Sequence, residues 1–378
     1  MASCRRRKSE AEARDVISEL PAEVKEKILE CLPTREAART ALLSTHWNNV
    51  WLRHGRLMFD WYFFQCFSKY EGEKGFRSVR FLSRNGLQEL KLYTSCNHKL
   101  PSCIFLCRTI KQLTLGGFIF DLPIPSIFPS LTSLVFENVE FSDNVKGIVY
   151  RIPNIEEVSF GSCKGITNFE ISNPKLETLK VIGYESCKFD ESRWFTLYLK
   201  TIKTLFLSAN LLPCKSAEIA TVTFPTAINL QVIELYDLSI ACQERLAFVM
   251  QLQHSPNLCE LKIGLTDGLC SCEDITMSTR LLEDPNGCIV KCDLKILNTI
   301  MIEWFSGSTP EKLFVKMLLL KSPALERVFI KECHDIGTSV AVKSLRELLR
   351  FSRASPKAQI VCMDCDDPEE SGFDHRWF

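Results

Sequence analysis

One string in this sequence has the form that could carry a nucleophile, Gly161-Ser162-Cys163-Lys164-Gly165. It follows an apolar run ending at Phe160, and a glycine-flanked turn leaving a strand can hold a thiol clear of its own backbone. A thiol there needs a base. His254 and His334 lie downstream, but nothing in the spacing brings either to Cys163, so the glycines read as a turn and no catalytic residue is assigned. No His-Glu-x-x-His string and no phosphate-cradling Gly-x-x-x-x-Gly-Lys loop occurs. The nearest approaches to a metal pattern are Cys270-Ser271-Cys272, Cys288 with Cys292, and Cys362-Met363-Asp364-Cys365. Zinc needs four ligands at matched spacings, and none of the six His residues supplies a second half, so neither metal nor cofactor is expected.

The 18 cysteines are otherwise scattered singly through hydrophobic segments and read as small reduced core residues. Lys plus Arg and Asp plus Glu both number 46, so no net field draws the chain to nucleic acid or an anionic membrane, and neither is expected as a partner. Recognition must be local. No apolar run approaches the roughly 18 to 20 residues that span a bilayer. Arg5-Arg6-Arg7-Lys8 is not followed by the apolar core of a signal peptide, so cytoplasm, nucleus or both is the expected location.

The elements that would position any site are set by a repeat. The pattern L-x-x-L-x-L, with aliphatic residues or Phe at its apolar places, begins at Leu87, Ile110, Leu131, Ile155, Leu176, Ile202, Leu230, Leu258, Leu297 and Leu325. The intervals are 23, 21, 24, 21, 26, 28, 28, 39 and 28 residues. Most lie in or near the leucine-rich-repeat range of roughly 20 to 29, in which each unit is a short strand and a return segment. The last two apolar residues of each motif then point inward, and the residues beside them form an outward, concave surface. Phe206, Glu234, Tyr236 and Lys262 are the chosen substrate-binding residues: aromatics and paired charges on the sixth to eighth repeats, next to the long insertion Leu265–Lys295, itself expected to be a loop. Being outward, these four are expected to tolerate change without loss of stability.

Ahead of the repeats, three short helices are expected. Val24, Ile28, Leu29 and Leu32 mark the apolar face of the first, with Lys25 assigned to its polar side; Pro33 stops it and Thr34 is placed to cap the second. Ser44 or Thr45 can cap a third bearing Trp47, Val50 and Trp51. A unit of about 40 residues rarely buries enough apolar surface to stand alone, so an external partner is implied. After the repeats, Val340–Leu349 reads as a helix and Gln359–Cys362 as a strand, together able to cover the solenoid's open end.

The order Leu20-Pro21, Ile28-Leu29, Leu32-Pro33, Leu42-Leu43-Ser44, Trp47 resembles an F-box. With the repeats and the run from Leu325 to Ala358, which is similar to an FBD segment, the chain resembles the plant F-box/FBD/leucine-rich-repeat proteins from about residue 15 to 363. The resemblance implies an α/β fold: a three-helix F-box, then a leucine-rich-repeat solenoid or horseshoe, then a helix-strand cap. The parts are expected at residues 15–60 for the F-box, 80–330 for the solenoid and 310–363 for the FBD-like cap, between a disordered 1–14 and an acidic tail at 364–378. It further implies that Leu20, Pro21, Val24, Ile28, Leu29, Leu32, Pro33, Leu42, Leu43 and Trp47 contact a Skp-type adaptor, and through it a cullin. The chain is then the non-catalytic substrate receptor of a Skp–cullin–F-box ubiquitin ligase, its substrate an unknown protein. The alternative is a scaffold that uses the adaptor only for stability.

Overall fold

A computed structural model describes residues 16–60, 86–100, 104, 107–120, 128–141, 148–150, 152–164, 169–171, 174–183, 201–209, 227–242, 245–246, 249, 255–266, 275–283, 293–333 and 338–363. Residues 1–14, the tail 364–378, His254, His334 and the cysteines at 270, 272, 288, 292 and 365 lie outside them.

Three helices come first: α1 (Ala22–Glu30), α2 (Thr34–Thr40) and α3 (Thr45–Arg53). Ser44 caps α3, its Oγ accepting from the Trp47 N–H at 3.3 Å. Thr34 does not cap α2 as the sequence suggests; Pro33 holds that place and makes no side-chain cap. The Thr34 Oγ instead accepts from the backbone N–H of Met58 at 2.8 Å, on the first strand of the sheet. Leu29, Ala37, Trp47 and Val50 form the helices' own small core, with Ile28, Leu32 and Trp51 against it. Lys25, expected on the polar side, is buried: its Nζ donates to the Ser18 carbonyl at 2.7 Å and lies 5.7 Å from the Trp47 ring centre. A lysine stem can line a core when its ammonium finds a carbonyl and an aromatic face.

The strands are β1 (Arg56–Phe59), β2 (Glu89–Lys99), β3 (Gln112–Phe120), β4 (Ser133–Glu137), β5 (Glu140–Phe141), β6 (Ile148–Tyr150), β7 (Glu157–Gly161), β8 (Phe169–Ile171), β9 (Thr178–Ile182), β10 (Thr204–Ser208), β11 (Val232–Leu238), β12 (Glu260–Leu265), β13 (Thr299–Phe305), β14 (Arg327–Glu332) and β15 (Gln359–Met363). Apart from the β6–β8 pair they form one open parallel sheet, ordered β1-β2-β3-β4-β7-β9-β10-β11-β12-β13-β14-β15, with β5 beside β3. Each of the ten sequence motifs supplies one strand, and β1 and β15 add one at each end. Leu90, Leu113, Leu134, Val158, Leu179, Leu205, Ile233, Leu261, Ile300 and Val328 stand in one register column, and all are buried.

Register is held by a backbone ladder as well as by these columns. The carbonyl just before each strand accepts from two successive N–H groups of the next repeat: Gln88 from Lys111 and Gln112, Lys203 from Gln231 and Val232, Cys259 from Asn298 and Thr299. The last pair spans the 39-residue interval without loss of register. The insertion in that interval contains a helix, α4 (Ile275–Glu283), where a loop was expected; Ser278 donates to the Ala241 carbonyl at 2.8 Å, and α4 lies against α5 (Thr309–Lys321). A complete capping box begins α5, with Ser308 and Glu311 bonding each other's backbone. Beyond β14, α6 (Thr338–Leu349) and β15 occupy the expected cap positions, and Lys312 of α5 pairs with Glu347 of α6 at 2.7 Å.

Truncation in the buried columns is expected to dominate stability. Ile233→Ala and Leu261→Ala should each cost about 2 to 5 kcal/mol in urea unfolding. Lys203→Ala, which breaks an exposed pair with Glu177, should cost less than about 1 kcal/mol. Equal losses in all three would contradict this division.

Candidate functional site

The turn that leaves each strand decides the fate of the nucleophile-like string. Two residues beyond the second inward side chain, Gly117, Asn138, Ser162, Asp237 and Trp304 have φ of 70°, 50°, 49°, 55° and 61°. A left-handed residue there turns the chain so that the next side chain re-enters the core, and Phe118, Val139, Cys163, Leu238 and Phe305 are all buried. Cys163 is thus one member of a structural series. Its Sγ lies 3.6 Å from the Phe136 carbonyl oxygen, and the side chain is inaccessible to a substrate. Among the described residues, no group of three or more His, Cys, Asp or Glu side chains is placed to hold a metal ion. Cys362 is exposed, but partial burial and the nearby Glu332 push its thiol up to about 11.

The ten positions proposed for an adaptor fall into two groups. Leu29 and Trp47 are fully enclosed in the helical unit, which corrects the expectation that they present an open face, and Leu20, Ile28 and Leu32 are half-buried. Pro21, Val24, Pro33, Leu42 and Leu43 are exposed. Leu42 and Leu43, in the turn between α2 and α3, are 87% and 63% open to solvent, and Val16 and Ile17, ahead of α1, are also exposed. These last two were missed in the sequence, where they precede the helical periodicity.

The four concave residues chosen from the sequence are gathered by the strands, but they are not a loose surface. Phe206, Glu234 and Lys262 sit side by side in one outward row across β10, β11 and β12. Lys262 Nζ is 2.9 Å from Glu234 Oε1 and 3.4 Å from Glu260 Oε1, and the Tyr236 hydroxyl donates to Glu234 Oε2 at 3.1 Å. Glu234 and Tyr236 are buried, Phe206 and Lys262 half-buried. Burial pushes the Glu234 carboxyl up against the opposing pull of Lys262 and Tyr236; burial of Lys262 opposes its charge, but the two glutamates outweigh that and hold its ammonium above the ordinary value. Substitution of Glu234 or Tyr236 therefore carries a cost in stability, contrary to the sequence expectation. Phe206 takes the Lys180 ammonium over its ring at 4.6 Å, and Lys180 in turn pairs with Glu157 at 3.0 Å.

Glu303, missed in the sequence as one outward residue among many, lies on the same face of β13. It is 3% exposed, and burial pushes its carboxyl up to about 7, with Glu234 adding to the rise and Lys331 and Lys262 opposing it. Next to it Trp304 is 46% exposed on a left-handed backbone.

Two measurements follow. In native protein Cys31, which is exposed, should be alkylated by iodoacetamide, whereas Cys163 should label only after denaturation; rapid native labelling of Cys163 would contradict its core assignment. For Glu303, a folded-state value near 7 against the ordinary 4.5 means the folded chain binds the proton more tightly. Its contribution to stability is then greatest below pH 4.5, is lost as pH rises through 7, and is flat above. Glu303→Gln should remove that slope, gaining up to about 3 kcal/mol relative to wild type between pH 4.5 and 8; parallel pH profiles would refute the assignment.

A family model described as F-box domain matches residues 17–58, and one described as FBD-associated F-box protein At5g56370, LRR repeats, matches residues 77–261. F-box/FBD/LRR-repeat protein At1g13570 of Arabidopsis thaliana is 26% identical, over 93% of this chain and 99% of its own length. F-box/LRR-repeat protein At2g42730 of the same organism is 21% identical, over 92% of this chain and 98% of its own. An LRR protein of Leptospira interrogans aligns over 82% of this chain and 91% of its own at 15% identity, with a TM-score of 0.32, a likeness too slight to carry weight. The helical unit with its uncovered leucines thus matches the F-box domain, and the registered sheet behind it matches leucine-rich repeats of the FBD-associated kind.

Proposed function

We propose that the chain is the substrate receptor of a Skp–cullin–F-box ubiquitin ligase, docking a Skp-type adaptor through its helical unit and holding a protein on its sheet. The observation that carries this reading is the pair Leu42 and Leu43, left open by a unit whose own core has four buried apolar side chains among the described residues. Enclosing a leucine contributes about 1.5 to 3 kcal/mol. A partner covering both gains an apolar anchor, and the exposed Pro21 and Val24 of the same unit add further apolar surface. The sheet supplies the second surface, tens of residues away in sequence and built from a different part of the chain. In this reading the receptor's part in the reaction is positional: holding a target lysine near a charged carrier turns a bimolecular encounter into an effectively intramolecular one.

Leu42→Asp with Leu43→Asp should lower adaptor affinity by about thirtyfold or more, roughly 2 kcal/mol, in calorimetric titration, while leaving thermal unfolding of the chain nearly unchanged. Leu29→Ala should instead destabilise the helical unit. Undiminished adaptor binding by the double variant would sink the placement. A purification from cells then separates receptor from scaffold: the receptor brings down cullin and ubiquitin-modified prey with the adaptor, whereas a scaffold brings down the adaptor alone.

A further inference from the structure

The outward row next to the second inward column contains one arrangement twice. On β2, β3 and β4 it reads Tyr93, Gly116, Glu137, which are register partners. A Cβ on Gly116 would collide with the Tyr93 ring, which lies across the glycine, and the Tyr93 hydroxyl donates to Glu137 Oε1 at 3.4 Å. The tyrosine spans the residue that lacks a side chain and satisfies the carboxylate on the far strand. On β11, β12 and β13 the same motif positions read Tyr236, Gly264, Glu303: Tyr236 follows the Leu235–Ile263 pair, and Gly264 pairs with Glu303. Here the tyrosine does not serve the far glutamate in that way. Its hydroxyl donates to Glu234 on its own strand at 3.1 Å, and Glu234 also holds Lys262.

Glu303 is 3% exposed and makes no hydrogen bond or ion pair among the described residues, and its carboxylate oxygens are not fully sealed from solvent. A carboxylate so enclosed is poorly hydrated, and that costs free energy unless a donor reaches it. The nearby cations do not discharge it. Lys262 is committed to Glu234 and Glu260, and Lys331 of β14 acts on Glu303 through space without pairing with it. One further cation would complete this cluster of charges. Trp304, the next residue in the chain, is exposed and can report binding nearby.

We propose that Glu303, in the row with Gly264 and Tyr236, is the socket on the concave face for a basic side chain, lysine or arginine, of the captured protein. This rests on the receptor reading above and names what the receptor recognises. A guanidinium or ammonium entering there makes the charge-assisted hydrogen bonds that Tyr93 supplies to Glu137 in neutral form. The paired row at Glu137 is closed by its own tyrosine and takes no such ligand.

The test uses the full chain purified with its adaptor and three capped amino acids as probes: Nα-acetyl-arginine methylamide, Nα-acetyl-lysine methylamide and the uncharged Nα-acetyl-citrulline methylamide. At pH 8 one or both cations should bind with roughly millimolar dissociation constants, read by Trp fluorescence or NMR, and citrulline at least about tenfold more weakly. Glu303→Gln, which keeps the size of the side chain, should cost the cations about tenfold or more, and Glu137→Gln should cost nothing. Lowering the pH to 6 protonates Glu303 and should weaken cation binding. The charged groups acting on Glu303 are Glu234 on β11, Lys262 on β12 and Lys331 on β14, with Tyr236 and Glu260 bonded to the first two, and the pH effect should vanish in Glu303→Gln. Citrulline binding as well as arginine, full affinity in Glu303→Gln, or no binding of any probe would overturn the socket. Prey capture that persists in such a case leaves the receptor reading standing, whereas cation binding without ubiquitin-modified prey removes the receptor reading and leaves the socket.

Discussion

Everything in this molecule depends on a single strand being unable to bury its own inward side chains. Each repeat offers two aliphatic or aromatic residues to the interior, and only the next repeat, stacked alongside, covers them. The backbone reinforces the same constraint: one carbonyl per repeat accepts two N–H groups from its successor, from Gly55 onward. Because that ladder ties strand starts and not return segments, intervals from 21 to 39 residues all deliver their strands in register. The return segments are consequently free to differ, and one of them accommodates α4.

The register in turn fixes which outward side chains can meet. Strands about 4.8 Å apart bring residues of one row within reach of each other, so charge pairs form across repeats and along strands. Lys262 with Glu234, and Lys180 with Glu157, join residues more than 20 positions apart in sequence. At the N-terminal edge the sheet ends on the helices, where Thr34 holds β1 and Trp51 packs against both cores. Helices and sheet thus share one body, yet their open surfaces differ in chemistry: leucines on one, a half-closed field of paired charges and aromatics on the other.

The period-two alternation after each L-x-x-L-x-L start made the strands and their inward columns legible, because burial on one face leaves no freedom in the sequence. The turn after each strand was not legible. Its left-handed position is filled by Gly117, Asn138, Ser162, Asp237 and Trp304, which share a conformation and no chemistry. Helix α5 was passed over although Ser308-Thr309-Pro310-Glu311 is a strong start signal, since its buried residues, Phe314, Val315, Met317, Leu318 and Leu319, form no narrow stripe. Alternation also says which way Glu234, Tyr236 and Glu303 point but not how deeply neighbours cover them. Lys25 shows the same limit: its burial depends on the Ser18 carbonyl and the Trp47 ring, which only the tertiary fold brings to it.

The central claim is that two separate surfaces of one body serve two partners, the helical unit an adaptor and the sheet a target. Backbone hydrogen exchange on the full chain, with and without a Skp-type adaptor, tests it most directly. Slowing confined to the helical unit, strongest around residues 16–24 and 40–45, with β2 to β14 unchanged, is the result this account predicts. Slowing centred on the sheet, or none within residues 16–60, would contradict it.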